Sequence, residues 1–158
     1  MSAGEGRGES VWLGFFLFTI LNDFIPVVEA RGDSERLARY RMYRGQLGGA
    51  LNEAGWDGGW YRRAYYDDGT PLGTASADEC RIDAIAQAWS VLSGVATAAR
   101  AEIALDAMED NLVSEEEKLI RLLTPAFDKT SHDPGYIKGY LPGVRENGGQ
   151  YKIGRAHV

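Results

Sequence analysis

A chain of 158 residues is long enough for one domain with a real hydrophobic core. With 44% hydrophobic and 25% charged residues it has the balance of a folded soluble protein, and a net charge of −6 argues against a polyanion such as nucleic acid as its main partner. The single cysteine, Cys80, excludes an internal disulfide and a thiolate-built zinc cluster, and fits a reducing cytosol. Residues 1–7 are glycine-rich and do not follow the secretory pattern, so no signal peptide is expected.

The first predicted helix runs over about 8–30, with apolar residues all round it, which predicts burial on every side. Pro26 is expected to kink it or end its regular part. Its most apolar stretch, Val11 to Leu21, has about half the length of a membrane span, so a core helix is expected. Asp33 is a natural N-cap for a second helix over about 34–54, whose Leu37, Tyr40, Leu47, Leu51 and Ala54 form a single apolar stripe.

Trp60 to Tyr66 is strand-like, and Asp68-Gly69 is hairpin-turn chemistry, which predicts a small β-hairpin. Ser76-Ala77-Asp78-Glu79 has the form of a capping box opening a third helix, with Gly94 as its stop. Ile82, Ile85, Ala86, Trp89 and Leu92 give that helix an apolar face, and Asp83, Gln87 and Ser90 a separate polar stripe. Thr97 caps a fourth helix to about Leu112, and 118–123 reads as a strand. From 124 to 150 there is no periodicity, yet Phe127, Tyr136, Ile137 and Tyr140 are too apolar for disorder. An all-round-buried helix followed by a one-stripe helix, given twice, suggests the inner and outer helices of a helical toroid. A plain bundle is the alternative.

The richest chemistry lies between Gly135 and Tyr151. Proteins bind sugars by covering apolar ring faces with aromatic rings and gripping adjacent hydroxyls with planar charged groups. Tyr140, Arg145 and Glu146 supply those types within seven residues. Composition alone equally allows an Arg145–Glu146 ion pair and tyrosines that merely pack the loop. Gln87 and Asp83 could reach a ligand inside a toroid or form a buried polar network. Glu9 reads as a favourable first-turn charge, and His132 as a surface histidine. Metal and nucleotide motifs are not found.

Three strings carry a family resemblance: Gly6-Arg7-Gly8-Glu9-Ser10-Val11-Trp12-Leu13-Gly14, the helix from Cys80 to Gly94, and the loop from Asp133 to Tyr151. In this order they resemble the inverting glycoside phosphorylases of glycoside hydrolase family 94, and within it the phosphorylase-like region of cyclic β-1,2-glucan synthases. The likeness covers nearly the whole chain. It implies a mainly α chain, part of an (α/α)6 barrel with a small β-hairpin, acting on a β-glucan with inorganic phosphate as co-substrate and no cofactor. It places Tyr140, Arg145 and Glu146 in the segment lining the acceptor-side sugar subsite, and adds a little weight to Gln87. In an inverting phosphorolysis a carboxylic acid protonates the leaving oxygen, and phosphate replaces the activated water of a hydrolase.

The family's general acid lies in a Trp-Asn-Asp segment just upstream of the first string, before Met1 here. The family continues past Gly-Gly-Gln-Tyr with Thr-His, whose histidine contacts phosphate, whereas here Lys152 follows Tyr151 and the match stops. Residues 1–151 are therefore expected to be a partial barrel domain, inactive alone, from a cytoplasmic protein attached through other domains to the inner membrane. Residues 152–158 are expected to be non-native, since Ile153 to Val158 match the translation of a common sequencing adapter. His157 is then no phosphate ligand. The competing classes are a non-catalytic carbohydrate- or protein-binding helical module, and another (α/α)6 hydrolase, which would need a pair of carboxylates that the sequence does not present.

Overall fold

A computed structural model describes residues 6–152 of the chain. The expected adapter-like tail falls on 153–158, outside the described residues; Lys152 itself lies in a strand.

Helices α1 (Val11–Ala30) and α2 (Ser34–Glu53) form an antiparallel pair. The Asp33 side chain accepts the Arg36 N–H at 3.0 Å, which is the N-cap expected of it. A Cβ on Gly14 would come within 2.8 Å of Leu51, and one on Gly48 within 3.1 Å of the Phe18 ring. These two glycines weaken helix propensity but let the helices approach closely. α1 continues through Pro26 to Ala30.

α1 departs from the expectation of all-round burial. Val11, Phe15, Leu21, Ile25 and Val28 are buried, whereas Leu13, Phe16, Leu17, Ile20, Phe24 and Val27 are 40–51% exposed. Among the described residues, its main neighbours are α2 and α3, with β2 near its start. At 20 residues, with a mean hydropathy of 1.9 over its most apolar 18, α1 is long and apolar enough to cross a membrane by length and composition. Within it, however, Asn22 accepts a hydrogen bond from Arg44 of α2 at 3.1 Å.

The hairpin forms as expected. β2 (Ala64–Tyr65) pairs antiparallel with β3 (Pro71–Leu72), and β1 (Glu9–Ser10) adds a third strand just ahead of α1. The turn closes through Gly69 N–H to Tyr66 C=O at 2.9 Å, and Asp68 accepts the Thr70 N–H at 2.9 Å.

The third helix begins later than its sequence suggests. β4 (Ile82–Asp83) precedes α3 (Ala84–Leu92), and the cap is Asp83, which accepts the Ile85 N–H at 2.9 Å. Ser76 to Glu79 is no capping box, because its carboxylate is used elsewhere: Glu79 accepts the backbone N–H groups of Asp128, Lys129 and Thr130 at 2.7–3.0 Å. Gly94, at φ 72°, stops α3 as expected. α4 (Ala98–Leu112) follows, capped by Thr97 at 3.3 Å from Arg100 N. β5 (Val113–Ser114), β6 (Leu119–Arg121) and β8 (Gln150–Lys152) make a three-stranded sheet, while β7 (Leu123–Thr124) pairs with β4. The long segment after β7 is thus anchored at both ends.

α3 turns its polar stripe inward. Gln87 and Ser90 are fully buried and Asp83 is 2% exposed, while Leu92, on the supposed apolar face, is 71% exposed. The Gln87 amide donates to Tyr61 C=O and accepts from Tyr61 N–H, both at 2.8 Å, and donates to Asp83 C=O at 3.0 Å. Tyr61 lies before β2 in a single antiparallel bridge with Trp56, whose hydrogen bonds run through its neighbours Trp60 and Arg62, so the Gln87 side chain supplies the partner for its own N–H and C=O. Around this clamp Val11, Phe15, Leu51, Tyr61, Ala86 and Ala104 make one core; Ala64, Leu72, Cys80, Leu123, Phe127 and Ile137 make a second beneath the long loop.

Replacing Gln87 by Ala strands both Tyr61 backbone groups in the core. It is expected to cost about 3 kcal/mol in denaturant unfolding, while Leu92→Ala changes stability by less than about 0.5 kcal/mol. Equal effects at the two positions would contradict the inward placement of the polar stripe.

Candidate functional site

The segment after β7 crosses a cis Thr124–Pro125 bond and has no long element of its own. Its order comes from Asn147, a fully buried side chain. The Asn147 Oδ1 accepts Phe127 N–H at 2.7 Å, and its Nδ2 donates to the carbonyls of Phe127 and Tyr140, each at 2.8 Å. A 3-10 helix, Gly135–Gly139, buries Ile137 and sets Tyr136 and Tyr140 on neighbouring turns, their rings edge-to-face at 6.3 Å.

Beyond Tyr140 the chain doubles back tightly. Gly143 N–H donates to Asn147 C=O at 2.8 Å, and Gly149 N–H to Arg145 C=O at 2.7 Å. Arg145 is left at φ 50°, uncommon for a side chain of its size. A Cβ on Gly149 would collide with the Arg145 carbonyl, so a glycine is required there. This turn lays the Arg145 guanidinium over the Tyr140 ring, 5.4 Å from its centroid, with Nη1 3.5 Å from the hydroxyl. Arg145 and Glu146, both exposed, line a depression of about 490 Å³ together with Leu122, Val144 and Gln150. A half-buried aromatic ring beneath a guanidinium and a carboxylate beside them thus meet on a loop whose backbone is fixed from below. Such a surface can stack on a sugar ring and bond its hydroxyls.

The other sequence-level candidates are not part of this surface. Gln87 has no exposed surface, and its amide is taken up by Tyr61 and Asp83. Asp83 caps α3 with one oxygen and pairs with Arg63 through the other. Glu9 lies in β1, ahead of α1 rather than in its first turn. His132 has two neighbours that sequence could not show: its ring stacks on Tyr66 at 4.7 Å, and Nε2 lies 3.6 Å from the Asp68 carboxylate. Burial pushes the Cys80 thiol up to about 11, so it stays protonated at neutral pH, and burial likewise pushes the Tyr66 phenol up to about 12. Sequence reasoning missed Asn147, which sits in an Asn-Gly-Gly string that reads only as a turn, and the role of Glu79.

A family model, the Glycosyl hydrolase 94 superfamily catalytic domain, matches residues 1–158. Cyclic β-(1,2)-glucan synthase NdvB of Rhizobium meliloti is 54% identical over 92% of this chain, which corresponds to 5% of that protein. A 3-O-β-D-glucopyranosyl-β-D-glucuronide phosphorylase of Paenibacillus borealis is 37% identical over 92% of the chain and 19% of its own length. An N,N′-diacetylchitobiose phosphorylase of Vibrio proteolyticus is 32% identical over 90% and 18%. The chain therefore spans less than a fifth of the length of each.

Glu79 provides a pH-dependent test of how the loop is held. Desolvation raises its carboxyl, but the amides of Lys129, Asp128 and Thr130 outweigh that and hold it below its ordinary 4.5. A carboxyl lowered by folding stabilises fully above its unfolded value, and loses that contribution as pH falls through the folded one. Amide exchange at 128–130, corrected for intrinsic rates, is thus expected to be pH-independent above about 4.5 and to accelerate below it. Glu79→Gln should show the acid-state rates at neutral pH; unchanged rates in that variant would contradict the latch.

Proposed function

Because the chain belongs to the glycosyl hydrolase 94 superfamily, as part of its catalytic domain, we propose that it forms the acceptor-side wall of an inverting β-glucan phosphorylase site. The single observation that carries this reading is the Tyr140–Arg145 pair beside Glu146, held on a loop fixed by Asn147. The longer protein is read as a relative of the cyclic β-1,2-glucan synthases. Its ligands are a β-linked glucan oligosaccharide and inorganic phosphate, with no cofactor; it works in the cytoplasm and is held at the inner membrane by other domains.

In this reading Tyr140 offers its ring face to the acceptor sugar. Arg145 donates to adjacent hydroxyls, and Glu146 accepts from one. Phosphate attacks the anomeric carbon, an acid protonates the leaving acceptor oxygen, and the loop keeps that acceptor aligned. Gln87 contributes indirectly, by fixing the Tyr61 turn. Among the described residues, the carboxyls with resolved shifts are both lowered: Asp68, chiefly by the Thr70 backbone amide, and Glu79. A general acid needs the opposite shift. The chain alone is thus proposed to be inactive.

The toroid belongs to the same proposal. α1 touches both α2 and α3, and α3 packs on α4, as inner and outer helices of adjacent pairs would. The six exposed apolar side chains of α1 then face further helices of the barrel.

In the longer protein, Arg145→Ala and Glu146→Gln are expected to raise KM for the acceptor sugar about tenfold or more in the synthetic direction, leaving KM for the sugar 1-phosphate within about twofold. The isolated chain should release no sugar 1-phosphate from β-1,2-glucan and phosphate. Unchanged acceptor KM in both variants, or turnover by the chain alone, would contradict the proposal.

A further inference from the structure

A second concave surface shares no residue with the depression at Arg145. It is a cleft of about 540 Å³ between segments 70–79 and 127–132, floored by Leu72 and Phe127 of the second core. That volume is in the range of small-molecule sites. Glu79 stands in one wall and binds three backbone amides of the other, so the two walls are tied together and the cleft is preformed.

Its lining defines the ligand class. Thr74 and Ser76, whose hydroxyls share a hydrogen bond at 3.0 Å, line it together with Thr130 and Ser131. Tyr66 and His132, stacked with their planes 21° apart, add an aromatic platform. Lys129 is offset by Asp78 and Glu79, so the cleft has no positive excess to hold a phosphate. Among the described residues there is no cluster of three His, Cys, Asp or Glu side chains to hold a metal ion. Hydroxyls around an aromatic platform over an apolar floor suit a neutral, polyhydroxylated ring.

We propose that this cleft is a second saccharide subsite, taking a β-linked glucosyl unit apart from the unit held by Tyr140, Arg145 and Glu146. The identity of the sugar rests on the phosphorylase reading above. The two sites are mechanically joined, because Asn147 bonds both Phe127, in the cleft floor, and Tyr140. A longer glucan would be gripped at two places on one rigid loop, and the protein would favour chains over disaccharides.

The test is a titration of the full chain with sophorotriose, a β-1,2-linked glucose trimer, followed on the imidazole resonances of His132. A saturable shift is expected. His132→Ala and Ser76→Ala should each weaken the affinity, read on the Ser131 amide, by about three- to tenfold. His132→Phe should restore it through its ring. Ser76 is exposed, so its variant keeps the fold. Shifts confined to 136–147, with His132 silent, would overturn the cleft proposal and leave the phosphorylase reading standing. No shift anywhere would also overturn it, with acceptor kinetics of the longer protein deciding that reading separately. An affinity at the Ser131 amide that His132→Phe weakens as much as His132→Ala does would refute the stacking role.

Discussion

The site depends on one buried carboxamide. The chain between β7 and β8 has few ladder or helix bonds, so its buried peptide groups need partners from elsewhere. Asn147 supplies them. Its side chain carries a donor and an acceptor in the same plane, as a peptide group does, and pairs with Phe127 as a strand would. Its second N–H holds the Tyr140 carbonyl. Asp in its place would offer no donor, and Ala neither group. The exposed side chains of Arg145 and Glu146 stand on a frame that this amide closes.

The same device recurs at Gln87, which pairs with both backbone groups of Tyr61. One carboxamide orders the turn before the hairpin, the other orders the loop after β7. Between them runs the second core, with Leu72, Cys80, Phe127 and Ile137 from three segments distant in sequence. Hairpin, α3 start and loop therefore behave as one body. That rigidity is what a binding loop needs, since each side chain ordered in advance lowers the entropy lost on binding. The exposed face of α1 is the opposite case: its sequence specifies burial that the described residues do not supply.

Local signals were legible wherever the physics is local. The Asp33 and Thr97 caps, the Asp68-Gly69 turn and the Gly94 stop are where their chemistry puts them, because each acts within about four residues. Ser76 to Glu79 misled for the same reason. The spacing is that of a capping box, but a carboxylate binds whichever amides the tertiary fold brings near, and those belong to 128–130. The periodicity of α3 showed which residues share a face, and not which face turns inward; the buried Gln87 stripe needed the position of Tyr61 to be understood. For the loop, composition left Tyr140, Arg145 and Glu146 balanced between packing and binding. The family wording tipped that balance, and the geometry adds that Arg145 lies over Tyr140.

The most direct test of the proposed preorganised sugar-binding loop is hydrogen exchange over 127–150, with and without a β-1,2-linked gluco-oligosaccharide. The account predicts slow exchange at Phe127, Gly143 and Gly149 in the free chain, and further slowing over 140–147 when the sugar is added. Fast exchange at those three amides without sugar, or slowing confined to the helices, would contradict it.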